Sequence, residues 1–152
     1  METTLTDPSL AQLHVTGIFV ADGNVYCSGW GDYGTYTIAK YWKNGVRTNL
    51  GAGVYSSKAN SVFVSGTDVY VAGEEDNATG TAAMYWKNEI ATTLNDGNND
   101  ASASSIYLYQ NDVYVVGATR PSGWQAIGWK NGNIMPITQS AGQNFAYAVF
   151  VK

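Results

Sequence analysis

The chain has one cysteine, Cys27, and one histidine, His14, in 152 residues. One cysteine forms no intrachain disulfide and no cysteine-based zinc site. One histidine removes every multi-histidine metal site, and nothing local supplies His14 with a nucleophile. Charged residues make up only 13% of the chain, about half the usual share. Eight basic side chains against a net charge of -4 exclude a nucleic-acid surface, which needs clustered lysine and arginine. No apolar run reaches the roughly 18 residues of a membrane-spanning helix. The opening METTLTDPSLAQ has neither a basic n-region nor an apolar h-region, so it does not read as a signal peptide. There is no phosphate-binding glycine loop, no dinucleotide motif and no nucleophile elbow.

What is present is glycine, 17 residues, and aromatic side chains, 13% of the chain. They are arranged in a repeat. Ile18–Gly29 reads IFVADGNVYCSG, Val62–Gly73 reads VFVSGTDVYVAG, and Ile106–Gly117 reads IYLYQNDVYVVG, in steps of 44 residues. A second phrase follows each first one: Tyr41-Trp42-Lys43-Asn44-Gly45, Tyr85-Trp86-Lys87-Asn88-Glu89 and Gly128-Trp129-Lys130-Asn131-Gly132. Leu5, Leu50, Leu94 and Ile137 close the units. A period of this length belongs either to propeller blades or to helical HEAT-type units. Val69-Tyr70-Val71 and Val113-Tyr114-Val115 favour strands, no stretch keeps helical spacing, and Asn44-Gly45 and Asn131-Gly132 are hairpin turns.

Each repeat therefore predicts four strands, with tight turns alternating with longer connections. The strands are apolar on both faces, which predicts sheets covered on both sides. A ring of four-stranded blades supplies that burial; a β-sandwich is the alternative and leaves the period unexplained. The expectation is an all-β, propeller-like single repeat domain over 1–152, with about 3.5 four-stranded antiparallel blades of 43–44 residues. It consists of a leading strand at 1–5, repeats at about 12–50, 59–94 and 103–137, and a trailing strand at 145–151. Three and a half units leave open edges, so self-association, as a homodimer or within a longer propeller, is the expected route to a complete ring.

The VYVAG and YWKNG phrases resemble those of bacterial β-propeller repeat proteins of poorly characterised function. The resemblance implies tandem blades and assigns no catalytic, cofactor or metal residue. Trp42, Trp86 and Trp129 recur in every unit, as packing positions do. Trp30, Tyr33, Tyr55 and Trp124 do not follow the repeat and fall on or beside the long connections, so they are the ligand-binding candidates. Aromatic faces among neutral polar groups suit carbohydrate; a protein-scaffold role is the companion expectation. Asp32, Glu74, Glu75, Asp76, Asp96 and Asp100 also lie near those connections, without the ligand spacing of a calcium loop. The alternative is a glycosidase-like enzyme pairing loop carboxylates such as Asp32 and Asp76. The non-catalytic binding module is the preferred expectation.

Overall fold

The computed structural model describes residues 5, 10–95, 99–135, 137 and 142–152. Among them, each repeat folds into one four-stranded antiparallel sheet in meander order. The first sheet comprises β1 (Gln12–Ala21), β2 (Asn24–Asp32), β3 (Thr37–Lys43) and β4 (Val46–Asn49). The second comprises β5 (Ser57–Ser65), β6 (Asp68–Asp76), β7 (Thr81–Lys87) and β8 (Ile90–Thr93). The third comprises β9 (Ala101–Tyr109), β10 (Asp112–Thr119), β11 (Gln125–Lys130) and β12 (Asn133–Met135). The fold is all-β, as the repeat predicts.

The tight turns follow from their residues. Asn44-Gly45 and Asn131-Gly132 have φ of 49° and 84°, and of 52° and 81°. Both central positions are left-handed, as a type I′ turn requires. In the second repeat Asn88 and Glu89 hold φ of 48° and 72°, so a glutamate carries the conformation that glycine carries elsewhere.

The asparagine of each turn also ties two hairpins together. Asn44, Asn88 and Asn131 accept, through Oδ1, the backbone N–H of Val25, Val69 and Val113 at 2.9, 2.9 and 2.8 Å. Their Nδ2 groups donate to Asn24, Asp68 and Asp112 at 2.8, 2.8 and 2.7 Å. Lys87 and Lys130 then pair with Asp68 and Asp112 at 2.8 and 2.7 Å. The same lysines, and Lys43, lie over the rings of Tyr70, Tyr114 and Tyr26 at 5.3, 5.4 and 5.5 Å. The two repeated phrases are thus one network, and its lysines serve the fold.

The network sets a pH dependence. The Lys87 ammonium, and after it the Asn88 amide, hold the Asp68 carboxyl below its usual range; Lys130 and Asn131 do the same for Asp112. A carboxyl with a lower pKa in the folded than in the unfolded state stabilises above the unfolded pKa, and that contribution vanishes as pH falls through the folded pKa. Asp68→Asn with Asp112→Asn should therefore lower the urea midpoint more at neutral pH than in acid, where the wild-type carboxyls take up protons. Equal losses at both pH values would show that the carboxylate charge is not what matters. Both carboxyls are solvent-accessible, so the effect should be small and weaker in high salt.

The sheets stack face to face. Tyr26 and Ala39 of the first sheet bury against Ala59, Val62, Val64, Val69, Val71, Ala82, Met84 and Trp86 of the second. Tyr70, Ala72, Ala83 and Leu94 of the second bury against Ala101, Ala103, Ile106, Val113, Val115 and Trp129 of the third. This is why the strands are apolar on both faces. The three repeating tryptophans are at most 1% exposed.

Each first strand carries a β-bulge: the register shifts between Val15 and Gly17, between Ala59 and Ser61, and opposite Val116 and Gly117. The bulged residue reaches the next sheet. Thr16 Oγ1 donates to Ala59 O at 2.7 Å and Asn60 Nδ2 donates to Ala103 O at 3.0 Å. An aromatic row runs along the same strands, with ring centroids 4.7 Å apart for Phe19–Phe63 and 4.9 Å for Phe63–Tyr107.

The ends differ from the sequence expectation. Twelve strands are present among the described residues rather than fourteen. Residues 1–4 of the expected leading strand lie outside the described residues, and Leu5 is not in a strand. The expected trailing strand at 145–151 is not a regular strand. Asn144 N donates to Trp124 O at 2.9 Å, Ala146 N to Gly117 O at 3.3 Å and Val149 N to Ser105 Oγ at 3.3 Å. These are isolated bonds, and a first strand of this repeat acquires its ladder from a second strand beside it. Phe150 nevertheless extends the aromatic row, 5.0 Å from Tyr107.

Candidate functional site

The tight turns β1–β2, β3–β4 and their counterparts lie at one end of the sheets, so the long connections lie at the other. Trp30, Tyr33, Tyr55 and Trp124 all belong to that second end. The structure does not place them in one ring cluster.

Trp30 sits opposite His14 in the β1–β2 ladder. The two rings stack with centroids 4.7 Å apart and planes 14° from parallel. Lys58 Nζ lies 5.7 Å from the Trp30 ring and 3.6 Å from Glu74 Oε1. Beside them is a 210 Å³ recess lined by Thr37, Ser56, Ser57, Lys58, Glu74 and Asp76. Its walls are held by their own hydrogen bonds. Ser56 Oγ accepts from Thr37 N at 3.2 Å, Ser57 Oγ accepts from Ala39 N at 3.0 Å, and Asp76 Oδ1 accepts from Thr81 Oγ1 at 2.8 Å. Glu75 points to the opposite face of β6, where burial and then the charge of Asp76 push its carboxyl up.

Tyr33 is committed to a different group. It stacks on Tyr36 at 5.4 Å, and its hydroxyl accepts from Lys40 Nζ at 3.0 Å. Lys40 is fully buried and donates also to Asn49 Oδ1 at 2.8 Å. The matching positions hold Met84 and Ile127, so this lysine is particular to the first sheet. Trp124 packs against Phe145 at 5.7 Å, with the Arg120 guanidinium 5.8 Å from its ring. Tyr55 is 44% exposed on the β4–β5 connection.

The acids near this end are held locally. Asp32 Oδ1 accepts from Gly34 N at 2.7 Å, and Asp100 Oδ1 accepts from Thr81 N at 3.1 Å. Asp96 lies outside the described residues. Among the described residues no group of three or more histidine, cysteine, aspartate or glutamate side chains is placed to hold a metal ion. None of their helices is long and apolar enough to cross a membrane.

No protein-family model matches this chain, and no curated protein is similar to it. Its own repeats are therefore the frame of comparison. His14, Lys58 and Ser102 share one position, and Trp30, Glu74 and Ala118 share the facing one. At the turn end the tyrosine, lysine and asparagine recur in all three units; at this end the units carry three different pairs. Trp30 was legible in the sequence as a departure from the repeat. His14, Lys58 and Glu74 become legible as partners only once the bulged register places them opposite Trp30 and one another.

Proposed function

We propose that the chain is a non-catalytic binding module made of consecutive blades of a propeller-like ring, with its ligand site at the recess beside Trp30. The departure from the repeat at this end supports the reading most directly. The tyrosine and tryptophan positions that build the stack hold the same residue three times, whereas His14–Trp30, Lys58–Glu74 and Ser102–Ala118 do not. The recess suits a neutral polyol of about one sugar unit. Lys58, Glu74 and Asp76 offer donors and acceptors to hydroxyl groups, and the indole of Trp30, 5.7 Å from Lys58 Nζ, is the aromatic face next to them.

Binding is favoured over glycoside hydrolysis by the carboxylates themselves. Hydrolysis needs two acids on opposite sides of a scissile bond. Glu74 and Asp76 stand side by side on one strand, the first paired with Lys58 and the second bonded by Thr81.

A glycan array followed by titration calorimetry tests the reading. Trp30→Ala and Lys58→Ala should each weaken any sugar bound by the wild-type chain by about tenfold or more, while Trp124→Ala leaves it unchanged. Affinity that survives both first substitutions would move the site elsewhere. An array without a hit would favour a protein-scaffold role.

A further inference from the structure

The two outer faces of the stack are built for contact. Ile18, Val20 and Val25 on the first sheet are 68%, 62% and 41% exposed. One repeat on, Val62, Val64 and Val69 are 6%, 5% and 8% exposed, and in the third sheet Ile106 and Val113 are 3% and 9% exposed. The residue types match. A preceding sheet covers the second and third sheets, and among the described residues no sheet covers this face of the first.

Each internal interface is closed by a tyrosine from the covering sheet. Tyr26 sits among Val62, Val69, Val71 and Trp86, and Tyr70 sits among Ile106, Val113, Val115 and Trp129. The first sheet has the same socket without a tyrosine in it: a 320 Å³ cavity bordered by Leu5, Ile18, Val25, Cys27 and Trp42. The third sheet has the same knob without a socket around it. Tyr114 is half-buried where Tyr26 and Tyr70 are buried, and Lys130 and Asp112 support it as Lys87 and Asp68 support Tyr70.

We infer that the open face of the first sheet is a head-to-tail docking surface for a second copy of this chain, whose Tyr114 enters the socket beside Trp42. The occupant follows from continuity, since the chain already builds this interface twice within itself. The contact is heterologous, so it joins unlike faces of two identical molecules. One segment competes for the place. Repeating the internal packing would put the second copy's β1 where residues 146–151 now lie, because Phe150 holds the rung of the aromatic row that Phe19 would take. That segment is held by hydrogen bonds to Trp124, Gly117 and Ser105 and by ring contacts of Phe145 with Trp124 and of Phe150 with Tyr107. An incoming first sheet would instead bury Ile18, Val20 and Val25, and removing that much apolar area from water outweighs the few contacts given up.

The inference rests on the propeller-like stacking and not on the ligand. Analytical ultracentrifugation of the full chain and three variants tests it, with circular dichroism to confirm folding. The wild-type chain should associate with rising concentration. Deletion of residues 142–152 should tighten association about tenfold or more by removing the competitor. Ile18→Lys, at an exposed site, and Tyr114→Ala should each weaken it about thirtyfold or more. An equimolar mixture of these two variants should form dimers that grow no further, because each retains one working face. If Tyr114→Ala does not fold, Ile18→Lys and Val20→Lys decide the matter alone. A folded chain that stays monomeric with and without residues 142–152 overturns the inference, as does association that Ile18→Lys leaves intact. Loss of association with sugar binding retained would leave the recess as the ligand site; the converse would leave the docking face.

Discussion

Trp86→Ala should lower the unfolding free energy by about 3–5 kcal/mol. Trp86 is 1% exposed and lies in the core between the first and second sheets with Tyr26, Ala39, Val62, Val71 and Met84. Alanine leaves a void bordered by two sheets whose backbones are fixed by their own ladders, so collapse around it is limited. Trp86→Phe should cost much less, about 1–2 kcal/mol. The indole N–H groups of Trp42, Trp86 and Trp129 are buried without a hydrogen-bond partner. Phenylalanine loses part of the volume and also removes that desolvated donor. Urea titrations followed by far-ultraviolet circular dichroism give both numbers. An alanine cost below about 1 kcal/mol would contradict a tight interface at this position.

Gly73→Ala should be comparably damaging for a different reason. A Cβ at Gly73 would collide with the carbonyl oxygen of Lys58 and would come within 3.0 Å of Ala59 Cα. Both are backbone atoms beside the β5 bulge, so no flexible side chain can move aside. Gly29 and Gly117 meet His14 and Ser102 in the same way. We expect a loss of about 3 kcal/mol or more, or no folded protein. Gly66→Ala separates this collision from backbone strain. Gly66 has φ +58° with nothing within 4 Å of a built Cβ, so alanine there should cost only about 1 kcal/mol. Similar losses at the two sites would mean that the close approach at Gly73 is not limiting.

That glycine closes the VYVAG phrase, and the sequence shows it only as a recurrent letter. Its cause, the bulge, is hidden because one inserted residue shifts the two-residue alternation without leaving a turn signal. Thr16 and Asn60 were unmarked for the same reason. The hairpins and the buried tryptophans were legible, since Asn-Gly turns and repeated aromatic positions carry local or periodic signals. The second strands run further toward the long connections than their composition suggests. Glu74, Glu75 and Asp76 look like a loop by composition, yet they extend β6 because Ala83, Ala82 and Thr81 of β7 pair with the same stretch. Of the candidate site, Trp30 was visible as an exception to the repeat. Lys40 was not, because nothing in sequence distinguishes a buried lysine in a strand from one on its wet face.

The bonds that link one sheet to the next have a consequence for how the chain reaches its structure. Thr16 to Ala59 and Asn60 to Ala103 are each 43 residues apart, and Ser61 to Ile106 is 45. Each of these links closes a loop of only about one repeat, whichever unit it starts from. Loop-closure entropy is then nearly the same for every added unit, so folding should begin in any one sheet and spread to its neighbours rather than wait for the termini to meet. The second sheet has a neighbour on both faces and is the natural place for that spread to converge. An all-β chain wired in this way gains length without a matching increase in the time needed to search for its contacts.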